Sequence, residues 1–174
     1  MTTHAQLYNS LPSINEAHHK FVDAPEMFAK LAPLLSQYEN KYGICLVHRH
    51  CTLKEGEKMV STGNISQPER DVERYPLRWL ASGEPFEYTQ EVTHPPPRDL
   101  LDAFQTIVGG VGVLGLFYVH DTYDCGKTVV ERTEGRKNIV EVTSQTSTDD
   151  IVTAWIGVPC GISPVMSCTP TTHA

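Results

Sequence analysis

The sequence has no dense run of lysine and arginine, and its formal net charge is −7. Without a basic stripe to displace phosphate counterions, a nucleic-acid partner is not expected. A long hydrophobic run is also missing. The longest, Ile107 to Val119, is interrupted by four glycines and falls short of the roughly 20 residues that cross a bilayer, so no membrane partner is expected. The opening stretch MTTHAQLYNSLPS has no basic region followed by an apolar segment, which points away from a secretory leader and toward a cytoplasmic location. The five cysteines are an odd number, which argues against a complete disulfide framework and for reduced thiols. No internal repeat is present.

What is there belongs to an ordinary globular chain. With 174 residues, 40% of them hydrophobic and 20% charged, it is long enough for one domain with a real core and short for two. The expected organisation is a single domain over residues 1–174, with loose termini at 1–20 and 163–174. Asp23-Ala24-Pro25-Glu26 reads as a helix start, and Phe28, Leu31, Leu34, Leu35 and Tyr38 follow at helical spacing, with Pro33 predicting a kink or early break. A second short helix is expected from Pro97 to Val108. Strands are expected at ICLVHRHC, KMVS, PFEYTQEV and IVTAWIGV, and GGVGVLGLFYVHDTYDCG reads as a glycine-loosened strand running to a turn. KTVVERTEGRKNIVEVTSQ reads as a hairpin turning at Glu134-Gly135. The segment QPERDVERYPLR is highly charged and offers little to bury. The fold class predicted from this pattern is α+β: mainly an antiparallel twisted sheet or half-barrel, with two or three short helices.

The chemistry concentrates in ICLVHRHC, residues 44 to 51. Side chains alternate along a strand, so Ile44, Leu46, His48 and His50 would project together. Two imidazoles on one face are a common way to hold a metal ion, although such a pair near a strand end also serves as a surface hydrogen-bonding feature. His120 is the candidate third ligand, because Leu114, Leu116, Tyr118 and His120 share a face and put it at a strand end. Cys125 lies just past the next turn and would complete a nitrogen and sulfur set suited to Zn2+. Its other reading is a small buried hydrophobe. Fe2+ held by two histidines and a carboxylate is the alternative metal.

Two further side chains are candidates for catalysis. Glu57 opens the strand returning from the histidine segment, where a carboxylate can move protons beside a metal site; its other reading is a solvated charge in the turn Lys-Glu-Gly-Glu-Lys. Tyr118 shares the face of His120 and would donate a hydrogen bond to substrate, or else serve as core. His94 precedes three prolines and reads as a loop residue. The acidic balance favours a neutral aromatic small molecule over an anionic substrate.

Two resemblances attach to these residues. Gly43, His48, His50, Glu55 and Gly63 resemble the cupin metal motif, with both glycine spacings off by one and Pro164 standing where the second cupin motif has its histidine. LVHRHCTLKEGEKMV and VERTEGRKNI resemble a group of small fungal proteins that includes the zinc-dependent cyclopenases. That resemblance implies a zinc lyase of fungal alkaloid biosynthesis, contracting the benzodiazepinedione ring of cyclopenin to the quinolone viridicatin with loss of methyl isocyanate. The cupin likeness implies instead a non-haem iron oxygenase or isomerase. A non-enzymatic binding module with structural histidines is the third class.

Overall fold

The N-terminal twenty residues, expected to be loose, form two short helices in the computed structural model, because each helix start is capped. In α1 (His4–Asn9) the Thr3 hydroxyl accepts the Gln6 N–H and the Gln6 side chain accepts the Thr3 N–H. In α2 (Ile14–Lys20) Ser13 and Glu16 repeat the exchange. Such reciprocal caps satisfy otherwise orphaned donors of the first turn. The structure describes residues 1–21, 25–120, 128–143, 149–159 and 161–169. The Asp23 cap signal, Cys125 and Cys160 therefore lie outside the described residues.

Helix α3 (Pro25–Gln37) continues through Pro33 rather than breaking there, and buries Leu31, Leu34 and Leu35. It is followed by Glu39 and Asn40, both in the left-handed region at φ 59° and 53°, which turns the chain sharply into the sheet. Helix α4 (Arg98–Val108) buries Leu100, Leu101, Phe104 and Val108. Among the described residues no helix is long and apolar enough to cross a membrane.

The strands are β1 (Tyr42–Leu46), β2 (Lys58–Thr62), β3 (Ile65–Glu69), β4 (Tyr75–Leu80), β5 (Pro85–Thr89), β6 (Leu114–Tyr118), β7 (Thr128–Glu134), β8 (Lys137–Thr143), β9 (Ile151–Val158) and β10 (Gly161–Cys168). They close into one barrel in the order β1-β6-β4-β5-β2-β3-β8-β7-β10-β9, with β9 pairing back onto β1. The expected half-barrel is thus a closed barrel. Its pairings are antiparallel except β2 with β5 and β7 with β10. Two segments differ from the sequence expectation for one reason. QPERDVERYPLR contributes to β3 and β4, and residues 163–168 of the expected tail lie in β10, because closure supplies each with ladder partners on both sides. Gly115 lets β6 lie against β4: a Cβ there would collide with the Trp79 carbonyl oxygen.

Alternation divides the apolar residues into two layers. Ile44, Leu46, Trp79, Leu116 and Trp155 pack with the helix residues Leu31, Leu35, Leu100 and Phe104 outside the barrel. Cys45, Val47, Met59, Phe86, Phe117, Val129 and Ala154 form a second cluster inside it, joined by Ala5 and Tyr8 of α1. Helix α1 therefore packs against the lumen, at the loop that carries the two histidines.

Candidate metal centre

Strand β1 ends at Leu46, two residues before the first histidine. The irregular segment that follows still brings the two rings together, with centroids 4.8 Å apart and planes at 78°. His48 and His50 are 5% and 3% exposed. They meet Glu131 of β7, 2% exposed, and one potential ligand atom from each of the three residues lies within 4.8 Å of the others. The group can hold a metal ion. Two ligands of one tetrahedral ion sit roughly 3.3 Å apart, given metal–ligand distances of about 2.0–2.1 Å, and His48 Nε2 lies 3.1 Å from Glu131 Oε1.

Hydrogen bonding sets the state of His48. Its Nδ1 is 2.7 Å from the Leu46 carbonyl oxygen. A carbonyl only accepts, so Nδ1 carries the proton and Nε2 is the atom turned toward Glu131. This is the arrangement of a metal-ligating histidine, whose far nitrogen is anchored on a backbone carbonyl. Glu131 is supported in turn by Asn138, whose amide donates to Oε2 at 3.3 Å.

A second carboxylate completes the surroundings. Glu87 of β5 places Oε1 3.1 Å from His50 Nε2 and Oε2 2.9 Å from Arg78 Nε. Burial works against charge on all of these groups, but mutual attraction wins. Glu87 and Glu131 are held below the ordinary carboxylate range by the neighbouring imidazoles and Arg78, with a His48 hydrogen bond adding to this at Glu131. His50 is held above the usual imidazole value by Glu87 and Glu131. Thr153 of β9 lines the same spot, with its hydroxyl oxygen buried and without a hydrogen-bond partner. The donor set of two nitrogens and a carboxylate fits zinc, and equally a non-haem iron.

Arg78 and Glu87 have a second exposure. They form one wall of a cavity of about 300 Å³, while their other side closes the His48–His50–Glu131 group. The remaining wall includes Phe117, Met166, Thr89 and Asn138. The Arg78 guanidinium lies 5.3 Å from the centre of the Phe117 ring. The lining is mixed, with Ser61, Asn64, Thr89 and Asn138 beside Phe117 and Met166, and can receive a small molecule that has both polar and apolar parts.

The other sequence candidates stand elsewhere. His120 is not part of the metal-holding group: its Nε2 lies 3.1 Å from the Val92 carbonyl oxygen and 3.6 Å from Glu91, and Glu131 occupies the role expected of it. The β6 ladder ends at Tyr118, so the chain carries His120 toward the mouth of the cavity, which it lines together with Tyr118. Their rings are 4.9 Å apart, and Tyr118 packs edge-on against Tyr42. Glu57 is also outside the group. It is bound by Arg136 and by the Lys54 N–H at 2.8 Å, and hydrogen bonding from Arg136 lowers its carboxyl to about 2. These contacts make it a brace for the segment after His50. Thiols offer no ligand to the group among the described residues. Cys45, Cys51 and Cys168 are buried, and burial pushes the Cys45 thiol up to about 11.

Glu87 and Glu131 were both missed in the sequence reading. Only Glu131 carried a signal, through the face it shares with Val129 and Thr133; β5 is buried on both faces from Phe86 to Thr89 and gave none for Glu87. Along β7, Val129, Glu131 and Thr133 are the buried set. Comparison with models of known protein families, with curated proteins and with solved structures finds no match.

Proposed function

We propose that this protein is a zinc-dependent lyase acting on a neutral aromatic small molecule, with the ion held by His48, His50 and Glu131 and the substrate in the adjoining cavity. One observation carries the reading. The His48 ring, with its proton fixed on Nδ1 by Leu46, turns Nε2 toward a carboxylate oxygen 3.1 Å away, and His50 does the same toward Glu87 at 3.1 Å. With Nδ1 protonated, His48 turns a lone pair toward a carboxylate oxygen, a contact that a cation bound between the two atoms makes favourable. The space within the group is too small for a water molecule. Two nitrogens and a carboxylate are a usual ligand set of zinc.

Zinc at this position supplies Lewis acidity toward a carbonyl or epoxide oxygen and promotes bond cleavage without redox change. The chain's own residues do the rest. Arg78 holds Glu87 between the metal group and the cavity, so the carboxylate is the side chain a substrate oxygen must pass. Phe117 and Met166 offer apolar surface to an aromatic ring. The cyclopenase resemblance gives the most specific form of the proposal, the conversion of cyclopenin to viridicatin. The two stretches that carry the resemblance contain His48, His50 and Glu131.

The closure of the group favours a second reading, a structural metal with Glu87 as its fourth ligand. Incubating the purified protein with cyclopenin, before and after chelation and zinc readdition, separates the readings. Viridicatin formation that follows the zinc supports the specific form. A zinc-loaded, folded protein that turns over nothing, and that unfolds when stripped, identifies the structural site. Protein without any transition metal ends both.

A further inference from the structure

The sheet does not fix the backbone that carries His50. The last ladder-like bond on this segment is the Val47 N–H to the Val113 carbonyl at 2.7 Å, and the chain from 48 to 57 contains no helix or strand. The N-terminal segment takes over. The Tyr8 hydroxyl, fully buried, accepts the His50 backbone N–H at 2.9 Å. Asn9 brackets Leu53: its amide donates to the Leu53 carbonyl at 2.9 Å and its Oδ1 accepts the Leu53 N–H at 2.8 Å. The Arg49 N–H donates to the Pro12 carbonyl at 2.9 Å, and the Arg49 guanidinium donates to the Leu11 carbonyl.

We infer that Tyr8 and Asn9 are positioning residues of the metal centre: α1 acts as the template on which the His48–His50 loop takes its ligand geometry. The inference rests on the metal reading above and adds to it a role for the N-terminal helix. A ligand set works only when its side chains are held within about 0.5 Å and 10–20° of the required geometry, and here no ladder provides that. Tyr8 is not in the cavity lining; it acts through the His50 backbone. Linkage makes the effect mutual, so an ion that needs the ordered loop also tightens the helix that orders it.

Cobalt(II) is the probe, titrated into metal-stripped full-length protein and followed by its visible absorption. Tyr8→Phe keeps the ring and removes the acceptor, Asn9→Ala removes the bracket, and Ser10→Ala, whose hydroxyl binds only the Leu7 carbonyl of its own helix, is the control. Folded Tyr8→Phe and Asn9→Ala should each bind cobalt about 10–100-fold more weakly with an altered spectrum, and Ser10→Ala should match the wild type. Amide exchange over residues 5–12 of the wild type should slow when cobalt binds, which keeps the test open if Tyr8→Phe does not fold. Unchanged affinity and spectrum in the folded variants, or N-terminal exchange indifferent to cobalt, overturns the inference while leaving the metal centre standing. A wild type that takes up no cobalt removes the metal centre, and this inference with it.

Discussion

The imidazole of His48 and the carboxylate of Glu131 meet at 3.1 Å across a separation of 83 residues, both side chains buried in the barrel. Neither charge has water to fall back on. Whatever stands between these two atoms, proton or metal, therefore governs the stability of the lumen as well as its chemistry.

The purified protein should carry about one zinc per chain, an expectation from a single two-histidine, one-carboxylate group. Elemental analysis of wild type, His50→Ala and His120→Ala should show the metal lost from the first variant and kept in the second. A His120→Ala protein emptied of metal would return that residue to the ligand set and displace Glu131 from it.

Removing one partner of the buried pair should be costly even without metal. His48→Ala leaves Glu131 with an uncompensated charge and should lower metal-free stability by about 3–5 kcal/mol. The double variant His48→Ala/Glu131→Leu should recover part of that loss. Urea unfolding of stripped proteins gives both values, and equal stability of wild type and His48→Ala would contradict the pairing.

His4 should make the protein acid-sensitive below neutrality. Burial, reinforced by the charges of Lys58 and Arg74, lowers its imidazole from 6.5 to about 4. The unfolded chain takes up this proton first. The contribution of His4 is therefore fully present above pH 6.5 and lost as pH falls from 6.5 toward 4. A nuclear magnetic resonance titration should find the His4 ring neutral at pH 5, and His4→Gln should flatten the stability profile across that window.

Glu57 acts in the next window down. Its carboxyl, lowered from 4.5 to about 2 chiefly by the Arg136 hydrogen bond, adds stability that is complete above pH 4.5 and disappears as pH falls toward 2. Arg136→Met should reduce the slope of acid unfolding between those values. Denaturant midpoints measured at half-unit pH steps are sufficient, and an unchanged slope would show that Arg136 does not brace Glu57.

Gly115→Ala should destabilise the barrel without touching the metal group. The added Cβ meets a backbone oxygen at Trp79 and the Val47 side chain, and the backbone cannot yield as a rotamer does. A loss of about 1–3 kcal/mol is expected from overpacking of this kind. A wild-type urea midpoint would mean that β4 and β6 separate more easily than their register implies.

Local rules carried the sequence reading a long way. Helical spacing located α3 and α4, alternation located β5, β9 and the β7–β8 hairpin, and the His48-x-His50 spacing marked two of the three residues that can hold a metal ion. What the sequence by itself determined is what nearest neighbours along the chain decide: periodicity, turns and a histidine pair two residues apart. Barrel closure came only from tertiary structure, because pairing β9 to β1 depends on twist accumulated over ten strands. Closure also brought Glu131 to the two histidines. A glutamate and a histidine 83 residues apart leave no joint pattern in the chain. His120 was placed by its own strand, which carries it to the cavity mouth, whereas β7 turns Glu131 inward at the depth where the segment leaving β1 delivers His48.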